Sequence, residues 1–348
     1  MRIVIVNTHV PFVEGGAETL ARTFQKALQA KNHEVELVRI PFKWYPPERI
    51  HEHVLACRLL DLTEVNGVPI DRVIGLKFPT YHVRHPNKVT FLVHQHRTAY
   101  EMWDGEHCDI SHYPNGKAIR DSIESIDRAL LPEAKRIYAM SKTVASRLET
   151  YCGLPSTLLY HPPENATVFR SGPFGDYLYF PSRLTPVKRQ QLAMEALALT
   201  RQPVNIRFSG SPDNPRHLNE LKELARKLKV EKRVQFLGRI PFEEMVELYA
   251  GCRGVLFIPH MEDYGYITLE GMLSSKPVIT CADSGGPTEF IRNEEEGLVT
   301  DSDPRELAKA MDALWSSTAF AREAGLRARK RYEDLDITWD HVAECLVK

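Results

Sequence analysis

The chain has 348 residues, of which 43% are hydrophobic and 26% charged, and its formal net charge is −1. This balance gives no electrostatic reason for binding nucleic acid or an acidic membrane, and the length is typical of two domains. The six cysteines are scattered without a CxxC pair, which argues against a zinc cluster or a disulfide framework and favours a reducing compartment.

The first half of the chain alternates short apolar runs with longer helical patterns. Its strand candidates are residues 2–7, 34–40, 72–77, 88–94, 136–140 and 156–160. Most are apolar along their length, as expected of parallel strands buried on both faces. No secretory pattern precedes the first strand, and no run reaches the roughly 18 to 20 apolar residues of a membrane span. We therefore expect a cytoplasmic protein with at most peripheral membrane contact.

The second half repeats this pattern. Its strand candidates are residues 177–180, 204–209, 233–237, 254–259 and 277–281. The alternation predicts two doubly wound, Rossmann-like parallel-sheet domains. A polar, turn-rich stretch at 161–175 places them at 1–168 and 169–330, followed by a helix within 331–348. Ligands of such sheets bind at the carboxyl ends of the strands, so the loops that follow the strands are the places to look for function.

The strongest chemical pattern follows the strand at 254–259. Glu262 precedes Gly265 and a short helix, and Glu270 lies within that helix. The amides at a helix N-terminus suit a diphosphate, and a carboxylate one turn later can accept hydrogen bonds from two ribose hydroxyls. Alternatively, both acids only stabilise the beginning of a helix.

Two cations follow the strand at 177–180. Arg183 and Lys188 flank a proline-containing turn and can converge on one diphosphate, for which guanidinium and ammonium groups are suited. The alternative is that both are ordinary solvated surface charges.

Gly15 and Gly16 lie between the first strand and the first helix, where glycines let the backbone approach a ligand. The pair is not a GxGxxG fingerprint, and a simple turn is the alternative. A similar turn at Gly285 and Gly286 either presents amides to a sugar or is an ordinary loop.

The strand at 88–94 ends in His94, and His96 and Arg97 follow two and three residues later. Three interpretations of His94 are open: a metal ligand with His96, a core histidine bonded to the backbone, or a group that contacts the sugar or the acceptor. No third metal ligand has suitable spacing, and we assign His96 and Arg97 to the acceptor. Asp301 and Asp303 have DxD spacing without a convincing strand end before them.

Taken in order, these motifs resemble those of glycosyltransferase family four, a large retaining group with the GT-B fold. The resemblance spans nearly the whole chain, and its most specific part is the Arg183…Lys188 pair followed by Glu262…Glu270. It implies two facing doubly wound domains, with the last helix crossing back to the first domain. His260, Tyr264, Tyr266 and Gly271 depart from the residues that are common in the family.

The resemblance also implies residue roles. Glu262 and His94 would contact the transferred sugar and are the predicted catalytic residues. The predicted donor-binding residues are Gly15, Gly16, Arg183, Lys188, Gly210, Tyr264, Gly265, Tyr266, Ile267 and Glu270. The reaction would retain the anomeric configuration without a bound metal or other cofactor, as the domains close around a nucleotide-sugar.

The acceptor would be a glycan, a lipid-linked molecule or a small molecule, and the oligomeric state is open. A hydrolysing nucleotide-sugar 2-epimerase with the same architecture is one alternative. An NAD-dependent oxidoreductase is another, but it would need the GxGxxG fingerprint that neither half contains.

Overall fold

The computed structural model describes residues 1–13, 15–105 and 108–348. The chain divides into two units, Met1–Glu164 with Thr338–Lys348, and Asn165–Ile337. The sequence placed the boundary at 168 and the last segment at 331, whereas residues 165–168 and 331–337 belong to the second unit. Phe169, which both placements assign to the second unit, is a buried ring that packs edge-on against Phe242 and Tyr249.

A parallel sheet forms the centre of the first unit. Its strands are β1 (Arg2–His9), β2 (Glu34–Pro41), β5 (Arg72–Gly75), β6 (Lys88–Leu92), β7 (Arg136–Ala139) and β8 (Thr157–Leu158). They lie in the order β2-β1-β5-β6-β7-β8, so the order reverses between β1 and β5. A separate antiparallel hairpin consists of β3 (Glu64–Val65) and β4 (Val68–Pro69).

The helices of the first unit follow from apolar spacing and capping residues. They are α1 (Gly16–Ala30), α2 (Arg49–Leu59), α3 (Gly116–Leu130), α4 (Lys142–Cys152) and α12 (Trp339–Val347). Helix α1 buries Leu20, Phe24 and Leu28, which are spaced four residues apart on one face. Ser141 caps the start of helix α4, because its side chain accepts a hydrogen bond from the Val144 amide. The helix ends before Gly153, whose backbone is in the left-handed conformation.

The second unit repeats this plan. Its strands are β9 (Leu178–Pro181), β10 (Ile206–Ser209), β11 (Val234–Phe236), β12 (Gly254–Leu256), β13 (Val278–Cys281) and β14 (Gly297–Thr300). The order β11-β10-β9-β12-β13-β14 reverses between β9 and β12. Strand β14, which the apolar pattern did not predict, pairs in parallel with β13 at the edge of the sheet.

The helices of the second unit are α5 (Gln190–Leu199), α6 (Pro215–Lys227), α7 (Phe242–Gly251), α8 (Tyr266–Leu273), α9 (Pro287–Phe290), α10 (Pro304–Ser316) and α11 (Thr318–Asp334). The Asp303 carboxylate caps α10 by accepting hydrogen bonds from the amides of Arg305 and Glu306. Asp303 is therefore a helix-capping residue.

The last helix, α12, packs within the first unit. Trp339 makes edge-on contact with Phe24 of α1, and Leu346 is fully buried. Two polar groups satisfy carbonyls at the end of the helix: Arg72 Nη1 donates to the Leu346 carbonyl at 2.7 Å, and the Tyr138 hydroxyl donates to the Cys345 carbonyl at 2.8 Å. The positive Arg72 guanidinium also complements the negative end of the helix dipole.

We expect Leu346→Ala to lower the free energy of unfolding of the first unit by roughly 2–4 kcal/mol, because it leaves a cavity beneath α12. Urea unfolding followed by circular dichroism measures this change. Leu55→Ala, on α2 of the same unit, removes a side chain that is 57% exposed and should cost less than about 0.5 kcal/mol. Equal effects of the two substitutions would contradict this account of the packing of α12.

Candidate functional site

Two loops of the second unit meet where its strand order reverses. The loop after β9 carries Lys188, the loop after β12 carries Glu262, and the Lys188 ammonium forms an ion pair with the Glu262 carboxylate. Both side chains are largely buried, with exposed fractions of 15% and 26%. The Lys188 ammonium also lies 5.3 Å from the centroid of the Phe257 ring. The structure thus brings together two residues that the sequence predicted separately.

Arg183 has a different partner. Its side chain is 62% exposed, and Nη1 lies 3.3 Å from Asp213 Oδ1 in the loop after β10. Arg183 therefore pairs with a carboxylate of the loop after β10, whereas Lys188 pairs with one of the loop after β12. Among the residues that the structure describes, the two cations share no partner, and their convergence on one diphosphate stays a prediction.

The N-terminus of α8 adjoins Glu262 in the chain. Gly265 precedes the helix with a φ of +95°, and a Cβ atom there would lie 2.9 Å from Pro287 Cγ. The first turn, with Tyr266 and Ile267, has amides without partners inside the helix, which favours an anion. Tyr264 is only 2% exposed and its ring packs edge-on against that of Phe290, so the donor contact predicted for this residue is not available to an exposed ring.

Glu270 lies in the second turn of α8 and already accepts one hydrogen bond. The Tyr249 hydroxyl donates to Glu270 Oε2 at 2.5 Å. Burial raises the pKa of Glu270 to about 7, although the Tyr249 hydrogen bond opposes the shift. Near neutral pH the carboxyl group is therefore poised between its two protonation states, and a ligand that donates hydrogen bonds would favour the ionised one.

The glycines of these loops allow close backbone approach. Gly285 has a φ of +74°, and a Cβ atom there would lie 2.4 Å from the Glu262 carbonyl oxygen. The Glu262 amide donates to the Ser284 carbonyl at 2.8 Å, and the Gly286 amide donates to the Glu262 carbonyl at 2.9 Å. In the loop after β10, a Cβ atom on Gly210 would lie 2.0 Å from the Ser182 carbonyl oxygen. Both turns thus have a structural role that the motif alone did not reveal.

The sequence analysis missed an ion pair beside this site. Arg189 donates to both carboxylate oxygens of Asp283, at 2.7 and 2.6 Å, and its Nη2 lies 2.8 Å from His260 Nδ1. The hydrogen bonds from Arg189 hold the pKa of Asp283 below its usual value. The available signals were weak: Arg189 adjoins Lys188, and Asp283 comes two residues after β13.

In the first unit, the loop after β6 carries His94 and His96. His94 Nδ1 donates to the Gln95 carbonyl at 2.7 Å, so this ring nitrogen carries a proton. The His96 ring lies 5.1 Å from the Phe78 ring, and burial lowers the pKa of His96 to about 4. His96 is therefore a neutral imidazole at neutral pH.

A buried carboxylate on α3 fixes this loop. Asp127 accepts hydrogen bonds from Gln95 Nε2 at 3.0 Å, from the Tyr100 hydroxyl at 2.8 Å and from His82 Nε2 at 2.8 Å. Two of these donors come from the loop itself. The backbone between them is thus tied to the core of the unit, with His94 and His96 on either side of the inward-pointing Gln95.

His94, His96 and Arg97 line one cavity of about 220 Å³. The Arg97 guanidinium is paired, because its Nε donates to Glu101 Oε1 at 2.7 Å. The structure therefore brings together the residues predicted to contact the sugar and the acceptor from the first domain. Their roles stay predictions.

The Gly15 amide is already occupied. It donates to Glu18 Oε2 at 3.0 Å, and Lys77 Nζ donates to Glu18 Oε1 at 2.8 Å. At the start of α1, the Glu18 carboxylate therefore accepts the hydrogen bond that the Gly15 amide would otherwise donate to an anionic ligand. A donor that binds there would have to displace this contact or use the other amides.

Within residues 1–13, 15–105 and 108–348, no group of three His, Cys, Asp or Glu side chains is placed to hold a metal ion. In the same part of the chain, no helix combines the length and apolarity needed to cross a bilayer.

Comparison with known proteins begins with a family match. Residues 172–331 match the family described as glycosyl transferases group 1. This match contains Arg183, Lys188, Glu262 and Glu270, the residues from which the site in the second unit was built. Residues 172–331 are therefore similar to a group 1 glycosyltransferase domain.

Curated relatives match shorter stretches. The alpha-1,3/1,6-mannosyltransferase ALG2 of Dictyostelium discoideum is 30% identical over 126 residues, which are 36% of this chain and 30% of that protein. The D-inositol 3-phosphate glycosyltransferase of Nocardia farcinica is 27% identical over 245 residues, which are 64% of this chain and 53% of that protein. The chain thus spans about a third to a half of the length of these relatives.

Among solved structures, Anabaena Alr3699/HepE in complex with UDP has a TM-score of 0.73 at 16% identity, with 100% of this chain and 98% of that chain covered. At this identity the likeness shows the fold alone. The fold is GT-B, with two parallel-sheet α/β domains, and the match to the group 1 family lies in the second of them.

We expect Lys188→Ala to weaken binding of a nucleoside diphosphate by roughly 1.5–3 kcal/mol, because a charge-assisted hydrogen bond to the diphosphate is lost. Isothermal titration calorimetry with UDP and GDP measures the change. Lys222→Ala removes an exposed cation of α6 in the same domain and should leave the affinity unchanged. If Lys188→Ala matched the Lys222→Ala control, Lys188 would not contact the diphosphate.

We also expect nucleoside diphosphate affinity to rise with pH through about 7, the raised pKa of Glu270. Ribose hydroxyls donate to the ionised carboxylate, so less free energy is spent on deprotonation at higher pH. Titrations between about pH 6 and 8 test this, with Glu270→Gln as the matched variant. The variant should keep only the pH dependence of the phosphate itself, whose second pKa is about 6. Superimposable pH profiles for the two proteins would remove Glu270 from the ribose site.

Proposed function

We propose that the chain is a retaining glycosyltransferase that moves a sugar from a nucleoside-diphosphate-sugar to an acceptor hydroxyl without a bound metal. The observation that carries the proposal is the Lys188–Glu262 ion pair at the strand-order reversal, beside the N-terminus of α8. An ammonium group and helix amides suit a diphosphate, and the adjacent carboxylate suits the hydroxyls of the attached sugar.

In the proposed reaction, the bond between the sugar C1 and the diphosphate oxygen breaks, and a bond from C1 to the acceptor oxygen forms on the same face. The acceptor proton passes to the departing diphosphate. Lys188 and the amides at the start of α8 stabilise the negative charge that grows on the leaving group. These fixed positive groups do what a bound cation would otherwise do, which is why we propose a metal-independent reaction.

Donor binding would change the partner of Lys188. In the structure the Glu262 carboxylate pairs with the Lys188 ammonium. A diphosphate carries more negative charge and competes for the same cation. Once displaced, the Glu262 carboxylate becomes available to the transferred sugar. In this proposal the Glu270 carboxylate accepts hydrogen bonds from the ribose hydroxyls, and the Tyr249 hydroxyl keeps its hydrogen bond to Glu270.

The identities of the donor and the acceptor are part of the proposal. The mannosyltransferase names of relatives support a mannose donor, and the UDP complex of Alr3699/HepE supports a uridine nucleotide. The acceptor is a glycan, a lipid-linked molecule or a small molecule, and no nucleic acid is involved. The cysteines Cys57, Cys108, Cys152, Cys252, Cys281 and Cys345 are free thiols, which supports a cytoplasmic location.

The proposal is tested by a thermal-shift panel of UDP-, GDP- and ADP-sugars, followed by transfer assays with the stabilising donor. We expect an α-linked product from an α-linked donor by proton NMR, with turnover that survives excess EDTA. An inverted product would refute retention, and turnover restored only by Mg²⁺ would refute metal independence. A 2-epimerised sugar formed without acceptor would favour the epimerase alternative.

Glu262→Gln should lower kcat by about 100-fold in these assays, since the carboxylate acts on the transferred sugar in the transition state. Affinity for the free nucleoside diphosphate should stay equal or increase, because Lys188 loses its competing carboxylate. Glu244→Gln, at an exposed position of α7, is the matched control and should be silent. Undiminished kcat in Glu262→Gln would take this residue off the catalytic list.

A further inference from the structure

The cavity of the first unit that His94, His96 and Arg97 line also contains two buried polar atoms without a hydrogen-bond partner among the described residues. Asp109 Oδ1 and His9 Nδ1 are buried and have no hydrogen-bond partner among the described residues, and both residues line the cavity. A buried polar atom without a partner costs roughly 1–3 kcal/mol, so native proteins seldom leave one unless a ligand or water completes it. Two such atoms in the same cavity indicate a ligand that supplies hydrogen-bonding groups.

The rest of the lining is aromatic. Phe42, Trp44 and Phe78 contribute rings, and the His96 ring lies 5.1 Å from the Phe78 ring and 6.2 Å from the Phe42 ring. The electron-rich faces of such rings attract the weakly positive C–H groups of a sugar or cyclitol. At about 220 Å³ the cavity is smaller than the roughly 300–1,000 Å³ typical of pockets for drug-sized ligands, so it suits a single ring.

The charges in the cavity decide between neutral and phosphorylated rings. Its two cationic side chains are already paired, Lys77 with Glu18 at 2.8 Å and Arg97 with Glu101 at 2.7 Å. Asp109 adds a carboxylate, and His96 is neutral at physiological pH. The Asp109 carboxylate would repel a phosphate group, which would also have to compete with Glu18 or Glu101 for a cation, and both effects disfavour an anionic ligand.

We propose that this cavity binds a neutral, unphosphorylated sugar or cyclitol ring of the acceptor, and that Asp109 and His9 are its hydroxyl-recognising residues. The Asp109 carboxylate accepts a hydrogen bond from one ring hydroxyl, and His9 Nδ1 is completed by a second. The inference rests on the proposed function, because it names the acceptor class of that reaction. It separates this chain from the acceptor that the name of its Nocardia farcinica relative implies, D-inositol 3-phosphate.

Binding to the full chain is measured by saturation-transfer NMR with two matched pairs of probes: methyl α-mannopyranoside with its 6-phosphate, and myo-inositol with its 3-phosphate. We expect at least one neutral probe to bind more tightly than its phosphorylated counterpart. Tighter binding of the phosphorylated member of each pair, or saturation transfer from none of the four probes, overturns the proposal.

Two substitutions at Asp109 separate hydrogen bonding from charge. Asp109→Ala should weaken binding of the neutral probe by about tenfold, because its hydroxyl loses an acceptor. Asp109→Asn keeps an acceptor oxygen and should bind the neutral probe within about threefold of wild type. Asp104→Asn, at an exposed position of the same segment, is the control. Unchanged binding of the neutral probe in Asp109→Ala overturns the assignment of Asp109.

The same variants distinguish failure of this inference from failure of the proposed function. Turnover of a nucleotide-sugar with normal nucleotide affinity, together with an acceptor KM that Asp109→Ala leaves unchanged, defeats only the inference. Neutral probes that bind through Asp109 in a protein that turns over no nucleotide-sugar defeat only the proposed function. A KM for the acceptor that rises about tenfold in Asp109→Ala, at constant donor KM, supports both.

Discussion

The candidate site of the second unit depends on backbone hydrogen bonds between two loops. The loop after β12 and the loop after β13 are joined by the Met261 amide to the Asp283 carbonyl, the Glu262 amide to the Ser284 carbonyl and the Gly286 amide to the Glu262 carbonyl. These bonds place Glu262 where Lys188 can reach it and set the entry into α8. They also present Asp283 to Arg189. Without glycines at 285 and 286, the backbones could not approach closely enough to form them.

Much of the fold could be predicted from the sequence, because buried parallel strands are apolar along their length and leave a plain signal. Strands β9 and β13 were predicted within one residue at each end. Strand β14 was missed, since Gly297–Thr300 is only partly buried at the sheet edge and follows a run of charged residues. The domain boundary was placed a few residues late because the polar, turn-rich stretch at 161–175 extends across both sides of it.

The candidate site could be predicted only in part. Lys188, Glu262 and His94 lie in the loops that follow β9, β12 and β6, and this position in the chain was enough to predict them as site residues. Their partners come from tertiary approach: the pairing of Arg183 with Asp213 and the contact of Tyr249 with Glu270 join segments that are 30 and 21 residues apart. The spacing of residues along the chain does not reveal which carboxylate a given cation pairs with. The sequence likewise could not reveal that Asp109 Oδ1 and His9 Nδ1 are buried without a partner among the described residues, because burial depends on the folded backbone.

The buried Asp127 carboxylate has a consequence for how the first unit can change. It holds Gln95 and Tyr100 from within the core, so the frame of the loop does not depend on the side chains that face the cavity. Exchanges at residues 96 and 97 therefore leave these two anchors in place. A library randomised at these two positions, with His94, Gln95, Tyr100 and Asp127 kept, would vary ligand preference while the loop stays tied to the core.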